Sequence, residues 1–171
     1  LEFTRMQDGR FTLHVETADI LAEFEDTVFM YGNRLKQEGR RLPARLILMS
    51  PWTDMTASGK SYTERAELDP TITLDYIRAV RGAYARDQEL TSPMLSPLFG
   101  DFRGFPPTLI QAGSNELLLS DSVRLRDRMQ AAGVPCRLEV WSDMWHVFQM
   151  FPIKKAGQAM ASVGRFLLEY T

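Results

Sequence analysis

Two side chains in this sequence have the types and the placement for base-assisted attack by a hydroxyl nucleophile: the carboxylate of Glu116 and the imidazole of His146, the second of only two histidines. Each stands just past the end of a predicted strand. Glu116 closes Gly113-Ser114-Asn115-Glu116, after residues 108–112, and His146 closes Asp143-Met144-Trp145-His146, after residues 137–141. A histidine that takes the proton of a hydroxyl needs an acid partner to fix its tautomer and to stabilise its protonated form. Asp54, after an earlier strand, and Asp121, early in a following helix, are further carboxylates near strand ends. Asp54 reads as a structural turn or cap residue and Asp121 as the cap of its helix.

The elements that must position these residues follow from hydrophobic periodicity. Residues 45–50 (Arg-Leu-Ile-Leu-Met-Ser) are an apolar run ending at Pro51, the pattern of a strand buried on both faces. Residues 108–112, closed by Gly113, and 137–141 read as two more strands. Helices are predicted over 70–86, with Ile72, Tyr76, Ile77, Val80 and Tyr84 on one face, and over 120–132, with Leu125, Met129 and Ala132 inward. The last helix, over 153–170, carries the stripe Ala159, Met160, Val163, Phe166 and Leu167. Residues 91–107 read as loop, punctuated by Pro93, Pro97, Pro106, Pro107, Gly100 and Gly104. Near the amino terminus, Phe11, Leu13 and Val15 alternate as a short strand, and Ile20, Phe24, Val28, Tyr31 and Leu35 recur as a helix. Strands alternating with helices imply an α/β fold with a mostly parallel sheet flanked by helices. In such sheets chemistry gathers outside the carboxyl ends of the strands.

The 171 residues suffice for one domain, and 44% hydrophobic with 25% charged residues is ordinary for a globular protein. The formal net charge of −2 gives no electrostatic case for nucleic acid. No apolar run reaches the length of a membrane span, and no signal-peptide pattern opens the chain. The single cysteine, Cys136, follows Val134-Pro135 and reads as a buried structural thiol, in keeping with a reducing, cytoplasmic setting. The chain opens Leu1-Glu2-Phe3 without methionine; Met6 is a candidate natural start, and residues 1–5 are expected to be fusion-derived and are set aside in reading the fold.

Over residues 34–171 the sequence resembles the hormone-sensitive-lipase-like esterases of the α/β-hydrolase fold. The resemblance rests on Ser50-Pro-Trp-Thr-Asp54, Ser96-Pro-Leu-Phe-Gly100, Pro107-Thr-Leu-Ile-Gln-Ala-Gly-Ser114, Glu116-Leu-Leu-Leu-Ser-Asp-Ser122, Ala131-Ala-Gly-Val134 and Trp145-His-Val-Phe148. It implies hydrolysis of small carboxylic esters without metal or organic cofactor, His146 as catalytic histidine, Glu116 as its acid and Asp121 as the reserve acid. Asp143 stands where the family usually has glycine. Trp52, Trp145 and His14 read as structural.

The nucleophile is missing. A G-x-S-x-G turn should precede the acid, and none of the 171 residues forms one; nor are any two glycines adjacent, as a His-Gly-Gly oxyanion loop requires. Thr17, within His14-Val15-Glu16-Thr17-Ala18-Asp19, has the outline of an elbow, but Val15 and Asp19 replace both glycines, and a strand with a helix N-cap suffices. Residues 1–33 are therefore expected to be a non-matching strand plus helix, and 34–171 the C-terminal half of a hydrolase domain. Such a half is expected to be inactive alone. Besides a fragment or remnant of an ester hydrolase, the alternatives are a self-associating binding or assembly module and half of a split esterase completed by a partner chain bearing the serine; self-association, as a two-fold dimer, is expected. The segment 11–15 is a candidate neighbour for the strand at 45–50.

Overall fold

The computed structural model describes residues 42–169 in full and, of the amino-terminal segment, the backbone of residues 3–7 and 10–14. The expected helix over 20–35, Thr17, and the proposed boundary at residue 33 lie outside the described residues. Two short strands, β1 (Phe3–Gln7) and β2 (Arg10–His14), pair antiparallel, Phe3 opposite His14 and Gln7 opposite Arg10. This corrects one expectation: the segment around 11–14 pairs with residues 3–7 in a separate two-stranded sheet and not with the strand at 45–50.

The main sheet is parallel, with strand order β3 (Leu46–Met49), β4 (Thr108–Gly113), β5 (Cys136–Trp141). The central strand, β4, is buried at all six positions, the polar Thr108 and Gln111 included, as befits a strand covered on both faces. Side chains alternate between faces, so each helix finds its own set. Leu46, Leu48 and Ile110 pack with Leu125 and Met129 of the helix Leu119–Ala131. Ile47, Met49 and Leu109 pack with Val163 and Phe166 of the helix Lys154–Leu168. Among the described residues the α-helices, in chain order, are α1 (Ser61–Glu64), α2 (Leu74–Ala85), α3 (Leu119–Ala131) and α4 (Lys154–Leu168). The buried stripe of α4 is Ala156, Ala159, Ser162, Val163 and Phe166; Met160 and Leu167, at the margin of the expected stripe, are exposed. None of the described helices is long and apolar enough to cross a membrane.

The excursion between β3 and β4 carries α1, α2 and a short 3-10 turn at Pro97–Phe99. Helix α2 begins at Leu74, capped by Thr73, whose hydroxyl accepts from the Tyr76 N–H. It starts later than expected because the Asp69 carboxylate is already engaged. One oxygen accepts from Thr71 and Ile72 in a local turn, and the other from the Leu117 N–H. Tyr76, assigned from sequence to the buried face, is partly exposed, whereas Ile72 and Ile77 are buried.

Parallel pairing brings all three strand ends to one edge. There the chain after β5 crosses Gly113, the last residue of β4, so closely that a Cβ on Gly113 would lie 2.2 Å from the Met144 carbonyl oxygen and 2.7 Å from the Trp145 nitrogen. These are backbone atoms that cannot swing aside. Gly113→Ala is expected to cost about 3 kcal/mol or more, at or above the usual range for overpacking. Chemical denaturation would register it as a lower midpoint, and an unchanged midpoint would show that the two loops are not in contact.

Candidate active site

Glu116 is carried by the tight turn that ends β4. The turn is tied to the β5 side by Ser114 N–H donating to the Trp141 carbonyl and Asn115 N–H to the Met144 carbonyl, both at 2.9 Å. The excursion holds its other side. Asp69 accepts from Leu117 N–H at 3.0 Å, and the Ser61 hydroxyl donates to the Leu117 carbonyl at 2.6 Å while accepting from Ser120 N–H at 2.9 Å. Glu116 itself is fully buried. A carboxylate without water needs donors from the protein. It has three: the Gly113 N–H and the Ser50 hydroxyl on Oε2, at 2.9 and 3.0 Å, and the imidazole on Oε1.

His146 sits on the loop after β5. Asp143 N–H donates to the Ser114 hydroxyl at 2.8 Å, and beyond the imidazole the fully buried Phe148 anchors the chain against Trp141. Asp143 has φ of +58°, a value that favours glycine, so its replacement of the family's usual residue leaves the turn in place at some strain. The imidazole is 7% exposed, and its Nδ1 lies 3.0 Å from Glu116 Oε1. With Nδ1–H donating to the carboxylate, Nε2 is left as the nitrogen that can accept a proton.

The structure thus brings Glu116 and His146 together and sets the other carboxylates apart. Asp121 is fully buried and does not cap α3, whose N-cap is Leu118 without a side-chain hydrogen bond. One Asp121 oxygen accepts the backbone N–H groups of Thr53 and Asp54, each at 2.8 Å, and so pins the segment that follows β3. Asp54 binds Arg124 at 2.6 Å and accepts from Thr56 and Ser58, closing its own turn. Burial pushes the Asp54 carboxyl up, but the hydrogen bonds from Ser58, Thr56 and Arg124 outweigh burial and hold it below its ordinary value. For Asp121 burial wins. Helped by the neighbouring Asp54 charge, it raises the carboxyl to about 7 against the two backbone N–H groups and the Tyr62 side chain.

Trp52 is buried and donates to the Asp54 carbonyl, and Trp145 packs edge-on against Phe151, both as structural residues. Cys136 is buried, and burial pushes its thiol up to about 11, which suits an inert packing residue. Among the described residues no cluster of three or more His, Cys, Asp or Glu is arranged to hold a metal ion. Ser50 was visible in the sequence as a strand terminus and as the first residue of a family-like motif, with no role assigned; its contacts lie 66 and 97 residues away, which no local pattern reports.

The raised Asp121 carboxyl has a consequence for stability. Between about pH 4 and about 7 the folded chain keeps a proton that the unfolded chain releases, so this group's contribution to stability falls as pH rises through that window. Asp121→Asn keeps an acceptor for Thr53 and Asp54 but cannot ionise. The stability of the variant relative to wild type should therefore increase with pH across the window and level off above it. A difference independent of pH, in parallel thermal melts, would mean that Asp121 titrates at its ordinary value.

Comparison with known proteins bears on the family and the fold. Residues 28–150 match the family model described as the alpha/beta hydrolase fold. An esterase of Acinetobacter venetianus is 38% identical over 136 residues, covering 78% of this chain and 45% of that protein. An acetyl-hydrolase of Streptomyces hygroscopicus is 34% identical over 135 residues, with the same coverages. Among solved structures, an esterase from the bacterial hormone-sensitive lipase family superposes with a TM-score of 0.80 at 39% identity, covering 84% of this chain and 49% of that one. A hormone-sensitive lipase from a metagenome library gives 0.82 at 32% identity, covering 86% and 51%. The chain spans about half the length of the curated relatives it matches. With its parallel sheet, flanking helices and strand-end loops, the chain belongs to the hormone-sensitive-lipase-like esterase family of the α/β-hydrolase fold, matching roughly the C-terminal part of its relatives.

Proposed function

We propose that this chain supplies the acid and the general base of a carboxylic ester hydrolase, Glu116 and His146, and that the serine nucleophile and oxyanion donors come from outside this sequence. The observation that carries the reading is the 3.0 Å contact between His146 Nδ1 and the buried Glu116 carboxylate. In that arrangement Nε2 takes the proton of a serine hydroxyl as its oxygen attacks the ester carbonyl, and returns it to the departing alcohol. Water then repeats the sequence on the acyl-enzyme. The acid steadies the imidazolium formed in each half. No cofactor enters this chemistry. Small carboxylic esters are the substrate class, in keeping with the names of the relatives. Without a G-x-S-x-G turn or an oxyanion loop, the pair has nothing to activate in the isolated chain, because nucleophile, base and oxyanion donors act as a unit.

A second reading concerns assembly. Among the described residues β3 pairs on one side only, with β4. A strand edge with unpaired backbone groups is a template for another chain. We therefore propose that the chain associates with a second copy about a two-fold axis, the edge being equally open to a partner chain that carries the serine half.

Two measurements test these readings. The purified chain should neither hydrolyse a short-chain aryl ester above background nor label with a serine-directed fluorophosphonate; turnover that disappears in His146→Ala would overturn the assignment of inactivity. Light scattering over a dilution series should give the mass of a dimer, and a monodisperse monomer at micromolar concentration would sink the second reading.

A further inference from the structure

We propose that Ser50 is a positioning residue for the acid–histidine pair, one hydroxyl holding both the Glu116 carboxylate and the backbone beside His146. The proposal deepens the functional reading above and rests on the Glu116–His146 assignment. Ser50 directly follows β3 and is 1% exposed. Its hydroxyl donates to Glu116 Oε2 at 3.0 Å and accepts the Val147 N–H at 2.9 Å. The acid and the residue after the histidine are thus tied to one atom on a third strand. The hydroxyl is not itself a nucleophile: its proton is committed to a carboxylate, its hydrogen bonds go to Glu116 and Val147 and not to the imidazole, and it is closed to solvent.

Backbone conformation supports a positioning role. Among the described residues only five other than glycine have positive φ, and two of them, Ser50 at +52° and Val147 at +49°, are the two ends of this hydrogen bond. A β-branched residue in the left-handed region is a true outlier and persists only where its surroundings hold it there. The division of labour on the carboxylate is also consistent. Ser50 and Gly113 take Oε2 and leave Oε1 to Nδ1–H. A carboxylate that cannot rotate keeps the proton on Nδ1, and so keeps Nε2 free to act as base.

The test reads the tautomer and not the activity. In nitrogen-15-labelled chain, long-range proton–nitrogen correlation spectra resolve two imidazoles, and the signal lost in His146→Ala identifies His146. Wild type should show the single Nδ1–H tautomer with a slowly exchanging Nδ1 proton. Ser50→Ala and Ser50→Gly should both give mixed tautomers and exchange with water roughly tenfold faster, the factor expected for one lost hydrogen bond. The glycine variant removes the hydroxyl while relieving the positive φ, so it separates positioning from backbone strain. Ser50→Cys, with a weaker donor and acceptor, should fall between. A purely structural serine would lower the melting temperature and leave the tautomer single. Wild-type tautomer and exchange in any of the three variants would overturn the proposal. Glu116→Ala is the control for the underlying reading: if it too leaves the His146 tautomer unchanged, the acid assignment fails, whereas if it alone changes it, only Ser50 is misassigned.

Discussion

A carboxylate with no access to water must find its hydrogen-bond donors in the protein, and the architecture of the site follows from meeting that demand at Glu116. Its three donors come from three different strands: the Ser50 hydroxyl after β3, the Gly113 N–H at the end of β4 and the imidazole after β5. Only a parallel sheet presents three successive carboxyl ends on one edge, so the topology is a condition of the contact. Removing any one donor would leave a buried charge short of a partner, which is costlier than losing an ordinary hydrogen bond.

Close approach of the loops imposes the remaining constraints. Gly113 lacks a Cβ because the backbone at Met144 occupies that space. Ser50, Asp143 and Val147 hold positive φ values where the loops turn toward one another, each at a strain of about 1–3 kcal/mol. The surroundings over-determine them. Phe148 is locked in the core beyond the histidine, and Gln149 reaches Gln111 on β4 at 3.2 Å. The excursion between β3 and β4 adds a second layer, in which Asp69, Ser61 and Asp121 each fasten a strand-end segment through backbone N–H or carbonyl groups. Two buried aspartates and a buried serine therefore work as structural clamps around one buried glutamate that faces an imidazole.

The sequence by itself determined the elements and the order of the chemical groups. The apolar run at 45–50 announced a strand covered on both faces, residues 108–112 read as a second strand, and the repeats through Leu125 and Met129 and through Ala159, Val163 and Phe166 announced the covering helices. The order acid then histidine, and the want of a G-x-S-x-G turn, are likewise plain in the sequence. The tertiary structure decided which carboxylate meets the imidazole. Glu116 and Asp121 are only five residues apart, but the first lies in the turn over β4 and the second on α3, aimed at Thr53 and Asp54. It also decided the place of Ser50, the pairing of Phe3–Gln7 with Arg10–His14, and the delayed start of α2 behind Asp69. The physical reason is one of range: hydrophobic period and local propensity report which face of an element is buried, whereas a polar side chain's partner depends on loops brought together from 30 to 97 residues away.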